Sequence, residues 1–255
     1  MVVPAEGQLT HSARIICDLH LKGEGDPLQD RFLAWIARVP KGEALWILGD
    51  LFEYWIGDPS LVDPELKPVL DALQKRTQAG DFVGLIPGNR DFLIGAEFQS
   101  QTGVCVCSDG ALLAGPGGPW LLMHGDEFCT LDHGYQRLRR VLRSKGFRFW
   151  VRHQPAFMSR AMARRLRRAS ERSVPGKDPS RMAMQLDEVQ ARATASGAQV
   201  VLCGHAHRFR DEALPSGSPG DEPVRFLVLD AFGYGSSDVL VFDRSRAPEV
   251  RSTEG

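Results

Sequence analysis

The chain has 255 residues, of which 43% are hydrophobic, 25% charged and 8% aromatic, with a formal net charge of −1. This composition excludes wholesale disorder and collagen-like or coiled-coil rods, and the length can bury a core without disulfide or metal staples. No run of 18 apolar residues is available to span a bilayer, the N-terminus lacks the basic-then-apolar pattern of a secretory signal, and five cysteines without a CxxC read as reduced thiols, so a cytoplasmic protein is expected.

In chain order, residues 1–12 read as a loose lead-in. The apolar run Ala13–Cys17 predicts a strand ending in Asp18-Leu19-His20. Leu28, Phe32, Trp35, Ile36 and Val39 recur at helical spacing up to Pro40. Ala44–Leu48 predicts a second strand, closed by Gly49-Asp50, and residues 64–79 a helix with proline near its start and Gly80 after its end. Phe82–Ile86 predicts a third strand, closed by Pro87-Gly88-Asn89-Arg90-Asp91. Val104–Cys107 and Ala111–Ala114 are expected to pair as a hairpin, and 115–119 is read as a turn because no helix follows it. Trp120–Met123 predicts a strand closed by His124-Gly125-Asp126.

From Asp132 to Ser196 the periodicity is helical, with no strand signal. Gln199–Cys203 restores a strand, closed by Gly204-His205-Ala206-His207, and Arg225–Asp230 and Asp238–Phe242 are the last strands expected. Residues 211–222 read as a loose loop. The alternation indicates a layered α/β core over 1–131 and 197–243, a helical lid insertion over 132–196 and a flexible tail over 244–255. Charge is uneven: Arg137 to Arg172 holds 13 Lys or Arg against one acid, Glu171, so a basic block sits on an acidic body.

Five polar clusters each follow an apolar strand and together offer Asp18, His20, Asp50, Asn89, His124, His205 and His207. In open α/β sheets, residues at the carboxyl ends of strands converge on one edge, and the neighbouring glycines let the backbone turn and leave room for a ligand. Oxygen and imidazole donors without thiolate suit Mn, Mg, Fe or Zn acting as Lewis acid, not a structural zinc knot. Seven donors exceed one ion's needs and match two ions sharing a carboxylate. Two ions ~3.5–4 Å apart make hydroxide near neutral pH and clamp the oxygens of a displacement at phosphorus.

The order D-x-H, GD, GN, H and GHxH from Asp18 to His207 resembles the calcineurin-like metallophosphoesterase superfamily. The resemblance implies a four-layer αββα sandwich. It implies a first ion on Asp18, His20 and His207, a second on Asn89, His124 and His205, and Asp50 shared by both. One position departs from the general family, whose histidine after the asparagine helps protonate the leaving group: here it is Arg90. Arginine stays protonated and cannot donate that proton. A phosphate leaving group needs charge stabilisation rather than a proton, so Arg90 points to a pyrophosphate linkage.

Longer stretches are more specific. Leu48–Asp58, Gly88–Gly95 and Met123–Tyr135 closely resemble the UDP-2,3-diacylglucosamine hydrolases of lipid A biosynthesis. That resemblance implies water attack at the α-phosphorus of UDP-2,3-diacylglucosamine, with UMP and 2,3-diacylglucosamine 1-phosphate as products. It implies Mn²⁺ as the working cation and a peripheral seat on the cytoplasmic face of the inner membrane. The catalytic set becomes Asp50, Asn89, Arg90, His124 and His205. Substrate contacts fall on Asn89, Arg90, Asp132, Tyr135, Ser170, Lys177 and His205, with Arg181 the alternative to Lys177. The basic amphipathic stripes of the insertion fit acyl chains on one side and an anionic membrane surface on the other, and no part in the chemistry is expected of them. Two other readings compete: a generic metallophosphoesterase acting on nucleotides or nucleic acid, and a non-catalytic module on the same fold. Arg90 and the Met- and Leu-rich stripe speak against nucleic acid, and the complete donor set speaks against a module. No obligate protein partner is expected.

Overall fold

The computed structural model describes residues 12–55, 57, 60–61, 63–155, 158, 161–162, 165, 182–215, 223–243 and 247–253, together with the backbone of 3–4. Ser170, Lys177 and Arg181 lie outside the described residues. The first sheet runs in parallel through β2 (Ser12–Ile16), β3 (Ala44–Ile47), β4 (Val83–Leu85) and β5 (Cys105–Val106). Beyond β2 it is extended antiparallel by β11 (Val239–Asp243) and β12 (Glu249–Arg251). The second sheet has the order β1 (Val3–Pro4), β6 (Ala111–Gly115), β7 (Gly118–Leu122), β8 (Val200–Cys203), β10 (Val224–Val228), β9 (Arg210–Leu214).

The apolar runs explain the layering. β3 sends Leu45 and Ile47 outward, where they meet Phe32, Ile36, Val69, Leu73 and Phe98 of α1 (Pro27–Ile36), α2 (Lys67–Gln78) and α3 (Ala96–Thr102). Its alternate residues, Ala44 and Trp46, point inward to Trp120, Leu122 and Leu202 of the facing layer. A strand covered on both faces must be apolar throughout, as these are. Trp46 is fully buried and stands opposite Gly84 of β4, where a Cβ would come within 2.5 Å of the indole. The outer face of the second sheet is covered by α6 (Leu186–Ser196), whose Val189 and Ala193 pack on Leu121, Val201 and Phe226. Helix, sheet, sheet and helix give the αββα sandwich.

Several expectations are corrected. Val104–Cys107 and Ala111–Ala114 are not a hairpin: β5 adds to the free edge of β4, through Cys105 opposite Gly84, while β6 lies in the other sheet. The hairpin is β6–β7, turning at 115–118. Residues 3–4 are a short parallel edge strand on β6, and Arg210–Leu214 is a strand rather than a loose loop, paired with β10. The tail is ordered at 249–251, where β12 pairs with β11, and Thr253 is bonded to buried Asp238 through its N–H and hydroxyl, both at 2.8 Å. Of the expected insertion, α6 belongs to the outer layer of the core. α4 (His133–Leu142) and α5 (Lys145–Arg152) are its other described helices, started by the side chains of Asp132 and Ser144. All five cysteines are free.

Candidate metal centre

Asp18 and His20 follow β2, Asp50 follows β3, Asn89 and Arg90 follow β4, His124 follows β7, and His205 and His207 follow β8. The two sheets therefore deliver all eight to one edge. Asp18, His20, Asp50, His205 and His207 have φ between 51° and 68°, the left-handed region that Asp and His enter more readily than most residues. Cross-strand backbone bonds hold these turns: Asp18 N–H to Gly49 O at 3.1 Å and His20 N–H to Asp50 O at 2.9 Å. The carboxylates also brace neighbouring loops, Asp18 Oδ2 accepting from His205 N–H at 2.7 Å and Asp50 Oδ1 from Arg90 N–H at 2.9 Å. Two glycines are needed for this closeness, because a Cβ on Gly88 would overlap the Asp50 carboxylate and one on Gly204 the Asp18 carboxylate.

Two groups have donor atoms within 4.8 Å of one another: Asp18, His20 and His207, and Asp18, Asp50 and His124. His20 Nε2 and His207 Nε2 are 3.2 Å apart, and His207 Nε2 lies 3.5 Å from Asp18 Oδ1. Asp18 is common to both groups, and Asp50 of the second also reaches the first, one oxygen 3.8 Å from His20 Nδ1 and the other 3.8 Å from His124 Nε2. Asn89 Oδ1 is 3.0 Å from His124 Nε2, and the His205 ring meets His124 edge-on at 5.0 Å. His124 Nδ1 is 2.8 Å from the Leu48 carbonyl, which fixes the ring.

The electrostatics favour added positive charge. Burial, then Arg90, pushes the His20 imidazole down to about 3, and burial, then His124, pushes His205 down to about 4, so both are neutral donors at pH 7. Burial raises the Asp50 carboxyl to about 7. Burial opposes charge on His124 too, but Asp50, Asp18 and Asp126 outweigh it and raise the ring to about 9. Burial also acts to raise Asp18, yet the His207 imidazole beside it and the charge of His124 hold it below the usual carboxylate range. Asp18 Oδ1 and His20 Nδ1 are buried without a hydrogen-bond partner, an arrangement costly unless a cation meets them. The donor set of carboxylate, amide and imidazole fits a divalent ion.

Around this cluster lie residues to which sequence reasoning gave no role. Glu53, buried, pairs with Arg90 Nη1 at 2.7 Å, while Arg90 Nε lies 3.7 Å from Asp50. Asp91, fully buried, accepts from Leu51 N–H and Gly88 N–H, both at 2.7 Å, tying the loop after β3 to the loop after β4. Asp126, fully buried, receives Arg139 at 2.6 Å and the Tyr135 hydroxyl at 2.5 Å. Arg143 lies 3.7 Å from Asp126 and donates to Pro87 O and Gly88 O; Arg148 donates to Phe92 O. α4 and α5 thus grip both flanks of the loop that carries Asn89 and Arg90, which alters the reading of the basic block as a bystander. An acid next to a histidine motif and arginines at helical spacing were the available signals.

Of the expected substrate contacts, Asn89, Arg90 and His205 stand in the cluster. Asp132 caps α4 through Tyr135 N–H, and Tyr135 is engaged with Asp126; neither reaches the cluster through a described bond.

Residues 14–209 match the profile of the calcineurin-like phosphoesterases. The chain belongs to that family. Within it the chain is 37% identical over 216 residues to the UDP-2,3-diacylglucosamine hydrolase of Pseudomonas syringae pv. tomato, covering 84% of this chain and 86% of that one. It is 36% identical over 219 residues to the enzyme of the same name from Pseudomonas paraeruginosa, covering 86% and 90%. As a calcineurin-like phosphoesterase the chain is a hydrolase that works with divalent cations.

Proposed function

We propose that this phosphoesterase hydrolyses the pyrophosphate bond of UDP-2,3-diacylglucosamine, water attacking the α-phosphorus to give UMP and 2,3-diacylglucosamine 1-phosphate. The observation that carries the reading is Arg90, anchored by Glu53 at 2.7 Å beside Asp50 in place of a proton-donating histidine. A fixed guanidinium suits a leaving group that departs as phosphate. The names of the Pseudomonas relatives support the same substrate.

Asp18, His20 and His207 would hold one cation, Asn89, His124 and His205 a second, and Asp50 would face both. The cations, Mn²⁺ in this reading, supply Lewis acidity that polarises the phosphoryl group and acidifies water at neutral pH. Asp50 and Asp18 supply the balancing negative charge, and Arg90 takes up the charge that develops on the departing phosphate. The helices α4 and α5 would belong to a lid that receives the acyl chains. Leu138, Val141, Phe149 and Trp150 are exposed on these helices, as are Arg137, Arg140 and Lys145, a combination suited to the anionic cytoplasmic surface of the inner membrane. Among the described residues no helix is long and apolar enough to cross a membrane.

The test is UMP release from UDP-2,3-diacylglucosamine, run beside single-stranded DNA and RNA after chelation and re-addition of Mn²⁺, Mg²⁺ or Zn²⁺. Release of UMP restored best by Mn²⁺, without strand cleavage, is expected. Strand cleavage with no UMP release would make the generic nuclease reading the correct one.

A further inference from the structure

On the His20 and His207 side of the cluster lies a cavity of about 410 Å³ whose wall also includes Lys22, Asp26, Asp230 and Tyr234. Its volume is in the range of small-molecule sites. Tyr234 is 75% exposed, more than any other large apolar or aromatic side chain among the described residues. Its loop is pinned from every side. Asp230 accepts from Phe209 N–H at 2.7 Å and Ser237 N–H at 3.2 Å, Asp238 from Gly233 N–H at 2.7 Å, and Arg31 donates to Gly233 O at 2.8 Å. The turn carrying Lys22 is pinned likewise, by Asp26 accepting from Lys22 N–H at 3.0 Å and Leu28 N–H at 3.1 Å. Neither the Lys22 amine nor the Tyr234 hydroxyl has a hydrogen-bond partner among the described residues. An exposed aromatic ring on a rigid loop, beside a free amine and next to a phosphate-handling cluster, is the equipment for a nucleotide.

The two halves of the substrate divide the space. Among the described contacts the lid meets the 87–94 loop, by Arg143 on Pro87 and Gly88 and Arg148 on Phe92, and the loop after His124, by Arg139 on Asp126. The acyl chains need an apolar surface, which Leu138, Val141, Phe149 and Trp150 of α4 and α5 offer, whereas the wall beside His20 is mostly charged or polar and suits a nucleoside. We propose that this cavity is the nucleoside subsite: Tyr234 stacks on the uracil ring, Lys22 supplies positive charge to the nucleotide phosphate, and Asp26 and Asp230, which have acceptor capacity to spare, meet the ribose hydroxyls. This rests on the substrate reading above.

The experiment measures binding of UMP and of ribose 5-phosphate to the Mn²⁺-loaded protein by calorimetry, together with KM and kcat for UDP-2,3-diacylglucosamine. Wild type should prefer UMP. Tyr234→Ala should weaken UMP about 10-fold, the lower range for losing one base–aromatic stack, and leave ribose 5-phosphate as it was; Tyr234→Phe should keep UMP affinity. Lys22→Gln should weaken both ligands, and KM should rise in Tyr234→Ala more than kcat falls. Unchanged UMP affinity in Tyr234→Ala, or equal loss for both ligands, overturns the subsite. If wild type fails to hydrolyse UDP-2,3-diacylglucosamine, the substrate reading falls instead, and loss of the UMP preference in Tyr234→Ala would still support a nucleotide site.

Discussion

Glu53 and Arg90 are an ion pair at 2.7 Å in which the acid is buried and the guanidinium, partly exposed, keeps its Nε edge 3.7 Å from Asp50. The carboxylate sets the direction of the arginine rather than neutralising it, because three further N–H donors remain for a phosphate.

Arg90→Lys should therefore lose about 10²-fold in kcat, a point charge replacing a fork, and Glu53→Gln about 10-fold, with little change in KM. Arg90→His should not restore hydrolysis of the native lipid, yet should raise activity on aryl phosphodiesters relative to Arg90→Lys. Steady-state kinetics on both substrates decide it; an Arg90→His enzyme faster than wild type on the lipid would sink the leaving-group argument.

Asp50→Asn removes the carboxylate that lies 3.8 Å from a histidine of each group. A loss of at least ~10³ in rate is expected, since activation of water depends on the cations. Bound metal, measured by plasma spectrometry after gel filtration, should drop for both ions, whereas His207→Ala should lower one. Wild-type turnover by Asp50→Asn after exhaustive chelation would refute a shared carboxylate.

The lid arginines bear on the chemistry through backbone carbonyls. Arg143→Ala frees Pro87 O and Gly88 O, and Arg148→Ala frees Phe92 O. Each should reduce kcat about 10-fold even on a small phosphodiester that never touches the acyl site, by loosening the geometry of Asn89 and Arg90. Hydrogen exchange at residues 88–94 should speed up in both variants. Normal exchange with normal small-substrate turnover would return these arginines to a purely peripheral role.

Asp126 links stability to pH. Burial acts to raise its carboxyl, but Arg143, His124 and Arg139 outweigh that and hold it well below the usual range. A depressed folded pKa means stabilisation that is present above the unfolded value of about 3.9 and is lost as pH falls through the folded one. Asp126→Asn should cost about 3 kcal/mol at pH 7, leaving two arginines facing a neutral amide, and the difference from wild type should shrink in strong acid. Denaturant melts between pH 2 and 7 measure it; a gap that grows on acidification would contradict the assignment.

The five ligand motifs were legible in the sequence because each is local: an apolar strand, a turn, a polar residue. The layering was legible too, since β3 and its neighbours are apolar on both faces. Pairings between distant segments were not. Val104–Cys107 and Ala111–Ala114 are three residues apart, as a hairpin would be, and only the free edge of β4 draws the first into the other sheet. Glu53 looked like one more acid in an aromatic stretch until Arg90, 37 residues on, met it. Arg139, Arg143 and Arg148 were visible as charge, but charge in a sequence names no partner, and theirs are a buried acid and main-chain oxygens.

The left-handed turns at Asp18, His20, Asp50, His205 and His207 set selection for robustness against selection for turnover. Each such residue costs of order 1 kcal/mol relative to a glycine, together about 5 kcal/mol, which is comparable with the whole stability of many domains. A lineage of this chain screened for heat resistance alone would drift toward asparagine at Asp18 and Asp50, which keeps an acceptor for the backbone, and toward glycine or asparagine at the three histidines. It would become hardier and inert, and the erosion would begin at the turns before it touched the sandwich beneath them.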